Sequence, residues 1–214
     1  MTSDFKKTME DMANPIAPGP SMKFTVSHIF FTLELIAEKS IGRNTLARKL
    51  QVGEGTIRTI VYRLKKHGLI ETSKKGCSLT NKGQNIWKQF EGLFPIRAEI
   101  GKTELTSTEN NYAFLVKNSG NNVRSGIEQR DAAIVAGAKT AVIIVSKQGH
   151  LTIESVSDRV EKRFPEAADQ ILKTFHPEDN DTIVLVGATS LWKAKHGAFA
   201  ASWTLILTNK RVNQ

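Results

Sequence analysis

Apolar positions in the first half of the chain recur at the spacing of an amphipathic helix. The pattern predicts three helices, over residues 24–39, 43–50 and 56–67. The turn QVGEG separates the second helix from the third, and Gly68 is placed to end the third helix just beyond its last turn. This part of the chain is therefore expected to run helix, helix, turn, helix.

A hairpin and a fourth helix are predicted next. Residues 69–72 and 77–80 have the length and flanking residues of two short strands, joined by the tight turn SKKG. Trp87, Phe90 and Leu93 follow at helical spacing, and Pro95 marks the expected end of this domain. We expect the fourth helix to be buried against a partner or against the second domain.

The remaining chain alternates predicted strands and helices, which indicates an α/β or α+β domain over residues 96–214. Its last strand is expected at residues 204–208, after a helix over residues 190–202. Residues 1–22 contain three prolines and little apolar periodicity, so we expect a flexible arm there. The predicted fold class is α+β, with an N-terminal domain over residues 23–95.

Composition narrows the class of protein. The 214 residues contain no apolar run long enough to span a membrane, no signal peptide is expected, and the one cysteine fits a reducing compartment. A cytoplasmic protein is therefore expected. Residues 23–88 hold 13 Lys and Arg against 4 Asp and Glu, whereas residues 97–214 hold 15 against 13. The positive charge thus lies in the first domain, which is typical of a polyanion-binding module or of a solvated basic face.

Four segments of the first domain, RNTLARKL, GEGTIR, RLKKHGLI and LTNKG, resemble the winged helix-turn-helix domains of bacterial and archaeal transcriptional regulators. The resemblance covers residues 24–92 and implies double-stranded DNA as the partner. In such a domain the third helix enters the major groove and the hairpin, or wing, contacts the DNA backbone. A homodimer, with two such helices about one DNA turn apart, is the expected assembly.

The helical wheel of the third helix supports this interpretation. Its apolar residues fall on one face, and polar side chains able to reach base edges or phosphates fall elsewhere. Arg58 or Arg63 is expected to bind guanine, and the wing lysines are expected to contact phosphates. The predicted DNA-binding residues are Arg43, Arg48, Thr56, Arg58, Thr59, Tyr62, Arg63, Lys66, Lys74 and Lys75.

The second domain offers a weaker indication of a small-molecule site. The wheel of the helix that begins near Ser125 places Ile127 and Ile134 on a buried face, flanked by Arg130 and Asp131. These two charges either form an ion pair, with each other or across the sheet, or line a polar pocket for an anion. The turn before residue 190 can present backbone N–H groups to an anion or is an ordinary connection. The predicted ligand-binding residues are Arg124, Arg130, Asp131, Thr189 and Ser190.

Catalytic and metal-binding patterns are not found in the sequence. The histidines are scattered, and no nucleophile elbow or phosphate-binding loop is present, so no enzyme, metal or cofactor is expected. The segment GIEQRDAA is similar to the C-terminal domain of an uncharacterised archaeal winged-helix family, which implies an archaeal regulator. Three hypotheses remain open: an effector-sensing dimeric regulator, an architectural DNA-binding protein whose second domain only dimerises, and an enzyme fused to a DNA-binding domain.

Overall fold

The structure is a computed structural model that describes residues 2–14 and 24–207. The described residues form two compact units, one up to Phe90 and one from Glu91 to Leu207. Helix and strand are mixed in the order that the α+β prediction requires, and that prediction is confirmed. Among the described residues no helix is both long and apolar enough to cross a membrane.

The first unit consists of five helices and a two-stranded hairpin. Its helices are α1 Thr2–Ala13, α2 Val26–Glu38, α3 Arg43–Lys49, α4 Glu54–Lys66 and α5 Asn81–Leu93, and its strands are β1 Ile70–Ser73 and β2 Gly76–Leu79. The order helix, helix, turn, helix, hairpin, helix after residue 24 agrees with the sequence prediction. α4 starts at Glu54, before the predicted residue 56, because Gly53 has the extended backbone of an N-cap.

An aromatic cluster holds the helices of this unit together. Phe30 of α2 lies 5.0 Å from Phe90 and 5.6 Å from Trp87 of α5, measured between ring centroids. Phe5 of α1 meets Phe90 edge-on at 4.8 Å. Edge-to-face contacts at these distances are the favoured geometry for buried rings, so the cluster fixes the helices against one another.

The flexible arm predicted for residues 1–22 is wrong for residues 2–13, which form helix α1. Phe5, Met9 and Met12 of this helix are buried. Their i, i+4, i+7 spacing is an amphipathic stripe that the neighbouring prolines masked in the sequence. The rest of the predicted arm, residues 15–22, lies outside the described residues.

The second unit is a five-stranded antiparallel sheet with helices on both faces. Its strands are β3 Arg97–Ile100, β4 Asn110–Val116, β5 Thr140–Lys147, β6 His150–Thr152 and β7 Thr182–Ala188, in the spatial order β3-β4-β7-β5-β6. Its helices are α6 Ile127–Val135, α7 Val160–Arg163, α8 Pro165–Phe175 and α9 Leu191–Thr204.

Strand residues alternate between the two helical layers. Leu115 and Leu185 pack with Phe175 of α8 on one face. Phe114 meets Phe199 of α9 at 6.2 Å on the other face. Because helices cover both faces, every residue of β7 is buried, and the predicted strand at residues 182–186 is confirmed.

The predicted last strand is wrong for residues 204–207. Helix α9 continues through Thr204, and residues 205–207 follow without strand pairing. The apolar residues around 203–206 are buried as the end of a helix, which a short apolar run does not distinguish from a strand. Thr208 lies outside the described residues.

An ion pair between half-buried Lys117 and buried Asp181 lies at one end of this sheet. Asp181 is 1% exposed, and its carboxylate accepts hydrogen bonds from Lys117 Nζ at 2.9 Å and from the Asn118 backbone N–H at 2.8 Å. Hydrogen bonds to Glu178 and Asp181 raise the pKa of Lys117 above its ordinary value. The acidic segment before β7 is thus partly a structural anchor and not only the solvated connection that its composition indicates.

Candidate functional site

Helix α4 presents one apolar face to its domain and another face to solvent. Ile57, Ile60 and Leu64 are each no more than 2% exposed, as the wheel predicted. Tyr62 is 59% exposed, and Arg58 lies one turn before it on the same side. The helix therefore offers hydrogen-bonding side chains on an accessible surface while its other face is held by the core.

The hairpin next to α4 has the geometry of a wing. Ser73 pairs with Gly76, so Lys74 and Lys75 alone form its two-residue tip, and both are exposed. Strand β2 is fixed near the tip of the hairpin to Ile41, which exchanges backbone hydrogen bonds of 3.1 and 2.9 Å with Cys77. Gly76 has φ +117°, and a Cβ there would lie 2.5 Å from the Ile41 carbonyl carbon, so only glycine fits this join.

A groove of about 570 Å³ lies between α4, the start of α3 and the wing. Its lining includes the basic side chains of Arg43, Arg58, Lys65, Lys74 and Lys75. None of the described residues that line it is acidic. Basic side chains converging on a groove beside an exposed helix form the electrostatic footprint expected for a nucleic-acid backbone.

Lys65 is a groove residue that the sequence analysis missed. Its Nζ donates a hydrogen bond of 3.2 Å to Thr72 Oγ1, which directs the lysine from α4 toward the wing. Arg58, Tyr62 and Lys65 are spaced i, i+4, i+7, and this spacing is the signal that would have found it.

Burial and nearby charges shift the pKa values of two groups near this surface, Cys77 and His67. Burial raises the pKa of the Cys77 thiol, which keeps it neutral beneath the groove. The pKa of His67 is lowered, first by burial and then by the charges of Lys82, Lys66 and Arg63. His67 is therefore expected to be neutral near pH 7, so it adds no charge to this surface.

The prediction that Arg63 reads a base is wrong. The side chain is only 5% exposed, and its Nη1 donates hydrogen bonds of 2.6 and 2.5 Å to the carbonyl oxygens of Met12 and Asn14. Its guanidinium also lies 5.4 Å from the ring centroid of Phe24. Arg63 satisfies carbonyl groups at the C-terminal end of α1, where a cation is also favoured by the helix dipole.

The remaining predicted DNA residues lie on or beside the exposed surface. Arg48 and Lys66 are exposed, and Thr56 is half-buried. The Thr59 hydroxyl donates a 3.0 Å hydrogen bond to the Gly55 carbonyl oxygen, so its proton is already used within the helix. These positions stay predictions, since a contact with DNA is what would decide them.

Comparison with known protein families identifies the first domain. Residues 29–94 match the family described as the CggR N-terminal DNA binding domain. The chain carries a DNA-binding regulator domain. The resemblance to winged-helix regulators is thereby confirmed, and the match covers α4, the wing and the basic groove.

The second domain matches a different family. Residues 107–205 match a domain of unknown function, DUF4443. A solved structure, that of the hypothetical protein PH0730 from Pyrococcus horikoshii OT3, is similar to the chain, with a TM-score of 0.70 and 26% sequence identity. The similarity covers 86% of this chain and 93% of that one. No curated protein matches the chain.

The DUF4443 domain contains a cavity of about 270 Å³ next to the start of α6. Its walls are mainly aliphatic and aromatic, and four polar side chains join them. The apolar lining residues are Leu105, Val123, Ile127, Ala141, Val142, Ile143, Ile153, Val156 and Phe164, and the polar side chains are Glu104, Ser125, Arg130 and Glu154. An apolar cavity with few polar groups is the usual form of a small-molecule site.

Only part of the predicted anion pocket coincides with this cavity. Arg130 lines it, whereas Arg124, Asp131, Thr189 and Ser190 are described residues that do not. Ser190 instead caps α9, with its hydroxyl accepting a hydrogen bond from the Lys193 backbone N–H at 3.4 Å.

The predicted buried face of α6 is also wrong. Ile127 and Ile134 are 50% and 44% exposed, whereas Gln129 and Ala133 are buried. Gln129 faces inward because its Nε2 donates a 2.8 Å hydrogen bond to Thr204 Oγ1 of α9. Arg130 and Asp131 form an exposed ion pair of 3.1 Å with each other, which is the first of the two alternatives that the sequence left open.

No metal centre is formed by the residues that the structure describes, since no three His, Cys, Asp or Glu side chains among them are grouped to hold an ion. Two acidic residues that do come together, Glu178 and Asp181, both form ion pairs with Lys117.

Proposed function

We propose that this chain is a cytoplasmic transcriptional regulator that binds double-stranded DNA as a homodimer and acts by binding, without catalysis. The observation that carries the proposal is the basic groove between α4 and the wing. There Arg43, Arg58 and Lys65 converge with the wing lysines around the exposed face of a helix. In this arrangement Arg58 and Tyr62 reach base edges, and the wing lysines contact phosphates.

We further propose that the DUF4443 domain senses a small amphipathic anion in the cavity beside α6. Its apolar walls suit a short hydrocarbon group, and Arg130, the cation among lining side chains that also include Glu104 and Glu154, suits a carboxylate. At about 270 Å³ the cavity is at the small end of ligand sites, so a compact ligand fits better than a nucleotide.

Selection of bound fragments from random duplex DNA, at two salt concentrations, tests the DNA-binding proposal. Enrichment of a palindromic or repeated motif is expected. Salt-sensitive binding without enrichment would indicate the architectural alternative. Failure to bind at either salt concentration would overturn the proposal.

The effector proposal is tested by thermal unfolding of the full chain with hexanoate, hexylamine or hexanol as probes. Hexanoate is expected to raise the midpoint most, and Arg130→Gln is expected to remove its advantage over hexanol. Arg124→Gln is the matched control, because Arg124 is exposed and does not line the cavity. Equal effects of the three probes, or of the two variants, would contradict an anion site at Arg130.

A further inference from the structure

The outward face of α6 is an exposed aliphatic surface. Ile127, Ile134 and Val135 are 50%, 44% and 89% exposed, while the opposite face of the same helix is packed against β5 and α9. Val156 is 48% exposed and lines the same cavity as Ile127, so we group it with these three residues. We call these four residues the α6 patch. Several exposed aliphatic side chains on one helix face are typical of an interaction site.

Two charged residues, Arg130 and Asp131, separate Ile127 from Ile134 on α6. Arg130 and Asp131 lie between the two isoleucines along the helix and are 55% and 61% exposed. Among the described residues each of them forms an ion pair only with the other, as sequence neighbours in solvent, and this geometry contributes little to stability.

The order of Ile127, Arg130, Asp131 and Ile134 along α6 is self-complementary. A two-fold axis between positions 130 and 131 lays a second α6 antiparallel to the first. It then sets Ile127 opposite Ile134 of the second copy and Arg130 opposite Asp131 of the second copy. One axis therefore satisfies the apolar pair and the charged pair at once, which is what an interface between identical surfaces requires. A partner without this order of charges would leave one of them unpaired.

We infer that the α6 patch is a homodimer interface whose occupant is a second copy of this chain. The inference rests on the dimer in the proposed function and assigns its surface. Burial in the dimer also accounts for the sequence pattern, because Ile127 and Ile134 have the spacing of a buried stripe yet are exposed in one chain. The nine residues of α6 are the centre of the interface, and Val156 widens it toward the area of about 1,200 Å² that stable dimers bury.

Sedimentation equilibrium of the full chain tests the surface. The wild type is expected to dimerise, and Ile134→Glu is expected to raise the dimer Kd at least 100-fold while the circular dichroism spectrum is unchanged. Leu172→Glu is the matched control, because Leu172 is a 39% exposed aliphatic residue on α8, against the other face of the sheet. It is expected to leave the dimer Kd within about twofold.

Charge reversal tests the pairing, independently of any loss of apolar area. Arg130→Asp alone and Asp131→Arg alone are each expected to weaken the homodimer at least tenfold. An equimolar mixture of the two variants is expected to form a heterodimer, detected by native mass spectrometry with one copy tagged, and the double exchange is expected to restore the homodimer. Absence of a heterodimer would overturn the antiparallel pairing.

The outcomes separate the two proposals. A wild-type dimer that survives Ile134→Glu would overturn the α6 patch as the interface and leave the proposed dimer standing. A monomeric wild type would overturn both the patch and the dimer, whether another protein occupies the surface or none. DNA binding is decided separately by the fragment selection.

Discussion

Arg63 lies on the helix that enters DNA in winged-helix proteins, but its guanidinium is used inside the domain. It donates to the carbonyl oxygens of Met12 and Asn14 and is 5% exposed. Hydrogen bonds to a charged group contribute about 1.5–3 kcal/mol, and their loss leaves partly buried carbonyls unsatisfied. We therefore expect Arg63→Ala to lower the free energy of unfolding of the N-terminal domain by about 2 kcal/mol, measured by urea denaturation.

Arg58→Ala is the matched comparison for this prediction. Arg58 is on the same helix but is exposed in the groove, so its loss should change stability by less than about 0.5 kcal/mol. It should instead weaken binding to one position of a selected DNA sequence by about 1–3 kcal/mol. If Arg63→Ala, and not Arg58→Ala, alters base preference in a fully folded protein, the structural role of Arg63 is wrong.

The stability of the DNA-binding domain is expected to depend on pH through His28. Burial lowers its pKa from the ordinary 6.5 to about 4, and its Nδ1 accepts a hydrogen bond from the Thr25 backbone N–H at 3.1 Å, a bond that requires the neutral ring. The unfolded chain therefore binds a proton between pH 6.5 and 4 that the folded chain does not bind. The neutral ring makes its full contribution to the free energy of unfolding above pH 6.5, and this contribution is lost as the pH falls toward 4.

The expected change is a loss of about 1 kcal/mol in unfolding free energy between about pH 7 and 5.5, allowing for the partial exposure of the ring. Denaturant titrations at the two pH values measure it. His28→Gln keeps a side-chain acceptor at this capping position and cannot titrate, so its stability should change less over the same range. Parallel losses in both proteins would remove His28 as the cause.

At the scale of elements, the wing is expected to supply phosphate contacts and no base specificity. Lys74 and Lys75 form its whole tip, and each phosphate contact contributes about 0.9 to the slope of log Kd against log salt. Replacing both with Gln should lower the slope by about 1.8 and weaken binding to all sequences alike. The measurement is fluorescence anisotropy with a selected and a scrambled duplex over a range of salt concentrations.

Lys139→Gln with Lys162→Gln is the control for net charge. Both lysines are exposed and lie in the DUF4443 domain, away from the wing in sequence. The control should change the salt slope much less than the wing variant. Equal changes would mean that total charge, and not the wing, sets the slope.

The sequence predicted the helices and hairpin of the DNA-binding domain closely because local signals agree with one another there. Apolar periodicity, Gly68 and the SKKG turn all indicate the same boundaries. The inward position of Arg63 was not predictable in the same way. It depends on α1, which lies more than forty residues away in the chain and was not expected to be a helix.

The DUF4443 domain was harder to predict for a different reason. Its inner strands β4 and β7 are buried on both faces, so their residues do not alternate in polarity, and the end of α9 has the composition of a strand. On α6 the helical wheel placed the isoleucines on the buried face. In the structure Gln129 is on the buried face, where its side chain donates a hydrogen bond to Thr204. An apolar stripe predicts that a surface is buried, but it does not say whether the same chain or another copy buries it.

At the scale of the whole molecule, the proposed effector cavity and the α6 patch share residues. Ile127 and Val156 belong to both, and Arg130 lines the cavity and lies between the isoleucines of the patch, so a ligand in the cavity and a second chain on the patch would act on the same side chains. In the proposed dimer, a carboxylate that draws Arg130 into the cavity would remove it from the pair with Asp131 of the second copy. Ligand binding and dimerisation would then be coupled negatively, and the coupling would be reciprocal.

We therefore expect saturating hexanoate to raise the dimer Kd about fivefold or more, a coupling of about 1 kcal/mol, in sedimentation equilibrium of the full chain. Reciprocity requires the monomeric variant Ile134→Glu to bind hexanoate more tightly than the dimer by the same factor, measured by calorimetry. Since a dimer engages two half-sites, hexanoate should also weaken binding to a two-half-site duplex and leave binding to a single half-site unchanged. Equal hexanoate affinity in the monomeric variant and the dimer would show that the two sites are independent, and effector control of DNA binding through dimerisation would then be wrong.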